Sequence, residues 1–135
     1  MSEYEEIREA IDIYLMKRFK YRLSLVRLTP DNIVTTRRNN RVDLYLRIRK
    51  VKSLFPPDCL IIARISFEKE RVGHGSHFVG FLAEIALKYG FKYIGIESTN
   101  QKSRSFAEKL GFHPIDGSNY AIGVSSLIDY FQNRG

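Results

Sequence analysis

Two glycines one residue apart, Gly73 and Gly75, lie in the run Glu70-Arg71-Val72-Gly73-His74-Gly75-Ser76. Glycine has no Cβ, so at this spacing several backbone N–H groups can converge on one anion. A helix opening directly behind them adds its unpaired amides and the positive end of its dipole. The chemistry predicted is the binding of phosphate groups. No Lys-Ser or Lys-Thr pair follows Gly75, so the run is not a Walker loop. Val79 stands where a dinucleotide fingerprint needs its third glycine, and Gly80 comes one position late. Taken alone, a G-x-G pair also fits a plain tight turn. A second polar block follows further along: Asn100-Gln101-Lys102-Ser103-Arg104-Ser105-Phe106-Ala107-Glu108-Lys109-Leu110-Gly111-Phe112.

The elements that would hold these groups can be read from periodicity. Cys59 to Phe67 (CLIIARISF) is a near-continuous apolar run, as a central strand requires, interrupted near its end by Arg64 and Ser66. A helix is predicted over roughly 76–89, with Phe78, Leu82, Ile85 and Tyr89 on one stripe and Gly90 as its stop. Phe91 to Ile96 reads as a second buried strand, and 100–110 as a second helix, with Phe106 and Leu110 facing the core. Strand, helix, strand is a βαβ unit with a right-handed crossover. Upstream, Ser2 and Glu5 match a helix capping box, and Ile7, Ala10, Ile11, Tyr14 and Leu15 recur at helical spacing, which predicts an amphipathic helix over 3–19. Residues 22–29 read as a strand and Thr29-Pro30-Asp31-Asn32 as a turn. Alternation from Arg41 to Val51 predicts a half-buried antiparallel strand, with Val42, Leu44, Leu46 and Ile48 inward. Asn119 to Val124 reads as a strand. Ser125 to Asn133 either extends it or forms a last short helix.

The chain has 135 residues, which fits one domain over 1–135. Its single cysteine, Cys59, excludes an internal disulfide and makes a reducing cytoplasm the expected compartment. No apolar run approaches the roughly 20 residues of a membrane span, so no membrane partner is expected. Three histidines and one cysteine are too few to expect a metal cluster. The formal net charge is +7. Arg37, Arg38, Arg41, Arg47, Arg49, Lys50 and Lys52 crowd into one segment, which fits either an anionic partner (nucleic acid, an acidic substrate, a phosphorylated cofactor) or a merely solvated face.

Together the two blocks over 59–112 resemble the GNAT superfamily of N-acetyltransferases. That family carries Gln/Arg-x-x-Gly-x-Gly/Ala after its fourth strand and Asn-x-x-Ala-x-x-x-Tyr-x-x-x-Gly-Phe after its fifth. Gly73, Gly75, Asn100, Gly111 and Phe112 match, while Glu70 and Ala107 depart from the pattern. The resemblance implies an α/β (α+β) single-domain GNAT-like fold, with a mixed central sheet, a βαβ acyl-CoA-binding core and the N-terminal helix. It implies acetyl-CoA as cofactor, cradled by the amides of Arg71, Val72, Gly73, His74, Gly75 and Ser76. Ile65, Ser66 and Phe67 would pair by backbone with the pantetheine arm, as an added strand does. Asn100 would hydrogen-bond the cofactor, with Ser103 and Lys109, and also Lys102 and Arg104, toward its phosphates.

The implied function is transfer of an acyl group from CoA directly to an amine. The acceptor is not readable; the basic segment favours an acidic one or a nucleic-acid-associated target. The alternative is a catalytically inactive domain of this fold that binds CoA, a protein or nucleic acid. Ala107 removes the family's usual tyrosine, the commonest acid for the departing thiolate. Candidate polar groups near the sheet's middle are Ser66, Glu68, Glu97, Ser98 and Tyr120. Glu97 is the first choice for a base acting through water, or else a cap on the following helix. Tyr120 is the best substitute acid by type, or else a core residue. His74 and His77 at a helix start suit a phosphate if charged. His113 could face an acceptor, and Cys59 is not proposed as a nucleophile.

Overall fold

The computed structural model describes residues 1–48, 54–68 and 73–134. Helix α1 (Glu3–Phe19) opens on Ser2, whose Oγ accepts from the Glu5 amide at 3.1 Å. The Glu5 carboxylate turns instead to Arg8, so this cap is one-sided. Strands β1 (Val26–Leu28), β2 (Ile33–Thr36), β3 (Val42–Arg47) and β4 (Cys59–Phe67) form an antiparallel run. Helix α2 (His74–Lys88) crosses to β5 (Tyr93–Ile96), parallel to β4. Helix α3 (Gln101–Lys109), strands β6 (His113–Asp116) and β7 (Asn119–Gly123), and helix α4 (Val124–Arg134) complete the chain. The seven strands run in the order β1-β2-β3-β4-β5-β7-β6. The sheet is mixed, as expected, and no helix among the described residues is long and apolar enough to cross a membrane.

Register sorts the side chains onto two faces. Leu44, Leu46, Leu60, Ile62, Ile94 and Ile122 share one core cluster with Ile7, Ile11 and Leu15 of α1, Phe78 and Leu82 of α2, Ala107 of α3 and Leu127 of α4. The opposite face carries a small second cluster, Phe55, Cys59, Ile61 and Ala121. Gly95 of β5 makes this cluster possible: a Cβ there would lie 2.4 Å from the Phe55 ring. The polar remainder of that face holds Asp43, Tyr45, Arg47 and Arg64.

Some elements differ from the sequence reading. Strand β2 went unseen because Ile33-Val34-Thr35-Thr36 is too short to alternate, and Ile33, Val34 and Thr35 are buried in succession. Strand β6 is exposed throughout and carries Pro114, so it has no periodic signal. Strand β1 pairs over three residues only, while the amides of Leu25 and Val26 are taken by the buried Asp12 carboxylate at 2.9 and 3.2 Å. Helix α2 begins two residues early, because Gly73 takes the left-handed conformation (φ 83°) that turns the chain into it. Of the two readings of 125–133, the helix is the one formed. The predicted continuation of β3 to Val51 passes beyond residue 48 into residues outside those described.

Candidate active site

The site is built where β4 outruns its neighbour. β4 pairs with β5 only from Cys59 to Ile62, yet pairs with β3 on to Phe67. Between those stretches the β3–β4 register shifts, Tyr45 facing Arg64 and Leu46 facing Ile62, so Ala63 is an extra residue. Such a bulge bends its strand and raises local twist. On the other side, Glu97 makes the last parallel contact, its amide donating to Ile62 O at 3.0 Å. Ser98 then takes a left-handed φ of 51° and turns the chain away, held by its amide donating to Asn119 Oδ1 at 2.8 Å. Among the described residues, the β5-side edge of β4 past Ala63 has no strand partner, and such an edge is a template for an extended ligand.

A cavity of about 730 Å³ opens along that edge, lined by Ile65, Ser66 and Phe67 of β4, by Gly73, His74, Gly75 and Ser76 at the start of α2, and by Asn100, Lys102, Ser103, Phe106 and Lys109 around α3. The residues that the sequence assigned to cofactor binding on these three elements thus meet at one place. Arg71 and Val72, assigned with them, lie outside the described residues, as does Glu70. Phe106, read as a core residue, was missed as a wall: its ring is 3.4 Å from where a Gly75 Cβ would stand. The two glycines therefore serve different ends. Gly73 supplies the positive φ, with open space above it; Gly75 allows α2 to close on α3.

The two helix starts also differ. Among the described residues no side chain caps α2 at Gly73. Helix α3 carries a full capping box: Asn100 Oδ1 accepts from the Ser103 amide, and Ser103 Oγ from the Asn100 amide, both at 2.9 Å. The anion-attracting end is thus that of α2, with the lysines of α3 opposite. Asn100, assigned to the cofactor, has its side-chain oxygen committed to this cap. His74 also departs from expectation. Its Nδ1 accepts from Arg18 Nε at 3.0 Å, so the ring there is a neutral acceptor and not a cation. His77 Nδ1 and the Tyr14 hydroxyl share a hydrogen bond of 2.5 Å. Its pKa is lowered by burial and then by the Arg18 charge.

No protein-family model and no curated protein matches the chain. Solved structures do. The chain superposes on the KacTA–DNA complex with a TM-score of 0.57 at 17% identity, over 93% of this chain and 86% of that one. It superposes on AtaTR bound with acetyl-CoA with a TM-score of 0.56 at 19% identity, over 91% and 84%. A mutant AtaT toxin bound to the C-terminus of the antitoxin AtaR gives 0.55 at 19% identity, over 73% and 68%. The fold is that of the GNAT acetyltransferases.

Within the GNAT fold, the two residues singled out for catalysis stand apart from the cavity wall. Glu97 points to the face opposite the helices, where both its oxygens accept from Arg47, at 2.9 and 3.3 Å. It does not cap α3, which Asn100 does. Tyr120 lies under α3 on the helical face, and its hydroxyl donates to Glu108 Oε2 at 3.2 Å. Its pKa is raised, first by desolvation and then by the Glu108 charge. Ala107, at the family's tyrosine position, is fully buried in the core. A tyrosine there would overpack the core as it stands. Cys59 is buried, which pushes its thiol up to about 12 and leaves no thiolate at neutral pH. Among the described residues no group of three His, Cys, Asp or Glu side chains is placed to hold a metal ion.

The basic segment is less uniform than its composition. Arg37 and Arg38 are exposed. Arg41 instead donates to Phe19 O at 2.5 Å and lies over the Tyr21 ring at 5.3 Å. Arg47 is the partner of Glu97, and with Arg64 it brackets the Tyr45 ring, each guanidinium 5.3 Å from the centroid. Arg64 is itself paired with Asp43 at 2.6 Å. Nothing in the one-dimensional pattern signals these cross-strand partners. Arg49, Lys50 and Lys52 lie outside the described residues.

Proposed function

We propose that the chain is an N-acyltransferase that takes an acyl group, acetyl in the simplest case, from acyl-CoA to an amine. One observation carries this reading: a cavity runs from a strand edge to a helix start, the edge without a strand partner and the helix without a side-chain cap among the described residues, on a GNAT fold. The residues present fit such a cofactor. The edge of Ile65–Phe67 offers backbone partners to an amide-bearing arm. The α2 start, with Lys102 and Lys109 across the cavity, suits a pyrophosphate. When bound, the cofactor supplies an activated thioester. The chain's residues hold it along β4 and leave the open face of the sheet for the amine.

On that face Glu97 sits beside the point where β4 and β5 part. In this reading Glu97 would receive a proton through water, its carboxylate held in direction by Arg47. A thiol of pKa about 8.5 leaves without an acid, and general acid–base help is worth only about 10²–10⁴-fold. Approximation of the two reactants supplies more than that. A cytoplasmic setting fits both acyl-CoA and the single reduced cysteine. Exposed Arg37 and Arg38 favour an acidic acceptor. AtaTR and KacTA were solved with acetyl-CoA and with DNA, and an antitoxin-like or nucleic-acid partner is proposed for this chain on that likeness.

The second reading is a domain that binds CoA without turnover. It is favoured by the buried Ala107 and the committed Tyr120 hydroxyl. Thermal melting with and without CoA tests binding, with Gly75→Trp expected to abolish the shift in a folded protein. Thiol release across a panel of amines then separates the readings. Stabilisation by CoA without thiol release supports the binding domain; no stabilisation at all rejects both.

A further inference from the structure

We infer that Asn119 binds the amine substrate: its Nδ2–H donates to an oxygen that this substrate carries about 5 Å from the reacting nitrogen. The class selected is an amine with a carbonyl or other accepting oxygen at that reach, in preference to a plain alkyl amine. This rests on the reading of the chain as an acyltransferase with Glu97 beside the amine.

Asn119 opens β7. Tyr120 packs into the helical face and Ala121 into the opposite one, so alternation sets Asn119 on the open face with Ala121. The β5–β7 ladder pairs Ile96 with Tyr120, which brings Glu97 opposite Asn119 where β5 leaves β4. Cross-strand neighbours of this kind have Cβ atoms about 5 Å apart. The carboxamide has one orientation. The Ser98 amide is a donor, so the atom it meets at 2.8 Å must be Oδ1, and Nδ2 is turned away from it. Among the described residues Nδ2 has no hydrogen-bond partner. No buried side-chain nitrogen or oxygen there lacks one, so Nδ2 reaches solvent although Asn119 is only 9% exposed. Holding Ser98 at its left-handed φ of 51° uses the oxygen alone and leaves both N–H groups for a ligand. Beside this pair, the preceding residue of β5 on the open face is Gly95, over which the Phe55 ring lies. A donor next to such apolar cover competes less with water for its ligand. Across β4, Arg47 binds both Glu97 oxygens, each of which keeps a second lone pair. A fixed acceptor and a fixed donor therefore stand side by side at the cleft. The ligand that satisfies both has a donating nitrogen and an accepting oxygen at the same spacing.

The probes are 3-aminopropanamide, which carries the oxygen, and 3-methylbutylamine, its alkyl isostere. Two variants of the full chain separate donor from scaffold. Asn119→Asp keeps an oxygen for the Ser98 amide and removes the donor, whereas Asn119→Leu removes both and should melt at the lower temperature of the two. In thiol release from acetyl-CoA the wild type should prefer the amide to its isostere. In Asn119→Asp that preference should fall about tenfold, through KM, as the loss of one hydrogen bond to a substrate oxygen gives. The added charge acts on both ammonium groups alike and cancels in the ratio. In 1H–15N spectra of the wild type, the Asn119 side-chain amide signals should move with 3-aminopropanamide and stay in place with 3-methylbutylamine. An unchanged preference in a folded Asn119→Asp overturns the inference. An equal loss of turnover with both amines also overturns it, and assigns the donor to the thioester carbonyl. A wild type that releases no thiol with any amine counts against the acyltransferase reading instead. The side-chain amide signals then still decide the role of Asn119, and signals that respond to neither amine overturn it.

Discussion

Arg47 and Glu97 clasp each other across β4, joining the third strand to the end of the fifth by two bonds of 2.9 and 3.3 Å. Both side chains are about a third exposed, at 34% and 28%. Solvent therefore screens the pair, but its fork geometry is that of the stronger ion pairs. Neutralising an exposed, unpaired surface arginine costs within about 0.5 kcal/mol. The observed pair raises the expectation to about 1 kcal/mol. A double-mutant cycle of Arg47→Met and Glu97→Gln in urea should show coupling of that order. Independent effects of the two changes would mean that the clasp contributes nothing in solution.

Gly95 is the second point of leverage on the open face. A Cβ there would meet Phe55 ring carbons at 2.4 and 2.5 Å and Cys59 Sγ at 3.1 Å. Phe55 would have to leave its place over β5. Overpacking of this kind costs about 1–3 kcal/mol, so Gly95→Ala should lower the denaturation midpoint markedly. Gly95→Ala combined with Phe55→Leu should recover part of the loss. A silent Gly95→Ala would show that Phe55 does not pack there.

Asp12 is a buried acid on α1 whose work is entirely structural. Its carboxylate accepts from the Leu25 and Val26 amides and from Ser24 Oγ at 2.5 Å, and Arg8 lies at 3.4 Å. It fixes the first strand to the helix. Asp12→Ala leaves two buried amides unpaired and should cost about 2–4 kcal/mol. Asp12→Asn keeps an acceptor and should cost less. Equal losses from the two would remove the hydrogen-bonding account.

The order in which these features could be read follows from their range. The βαβ unit was legible because its apolar runs and glycine stops are local. The glycine loop and the Asn100 block were legible because their spacing is a backbone requirement. Arg64 and Ser66, which break the apolar run of β4, were the trace of the bulge at Ala63. The Arg47–Glu97 and Arg18–His74 pairs join residues 50 and 56 positions apart. No periodicity marks such pairs, and they changed the reading of the basic segment and of His74. Strand β6 was invisible because an exposed edge needs no buried alternation.

Stability should fall at both ends of the pH scale for identifiable reasons. Burial raises Cys59 from 9.0 to about 12, so the folded state holds its proton more tightly. The stability this gives is complete below pH 9 and is lost as pH rises toward 12, at about 1.4 kcal/mol per unit. Cys59→Ala should abolish that slope. His77 is shifted the other way, its pKa lowered by burial and Arg18. The unfolded chain then binds the proton better, so this contribution is present above about pH 6.5 and lost as pH falls. His77→Gln should flatten the acid limb of the profile. An acid limb unchanged in that variant would place the titrating group elsewhere.

In the proposed transfer reaction, Tyr120 is the residue to test as the acid for the departing thiolate. By residue type it was the best substitute for the missing family tyrosine. In the structure its hydroxyl donates to Glu108 on α3, and the residue is buried under that helix and forms no part of the cavity wall. Desolvation and the adjacent Glu108 charge hold its pKa above the usual 10, so it is neutral and a poor proton donor. Tyr120→Phe should therefore keep thiol release within about threefold of wild type while lowering the denaturation midpoint slightly for the lost bond. A loss of turnover of about a hundredfold or more, with unchanged CoA affinity, is the signature of a general acid. That result would require α3 to move and free the hydroxyl when substrate binds. Glu108→Gln separates the two cases: it removes the charge that the Tyr120 hydroxyl bonds to while keeping the hydroxyl itself, and it should leave turnover unchanged if the thiolate departs unassisted.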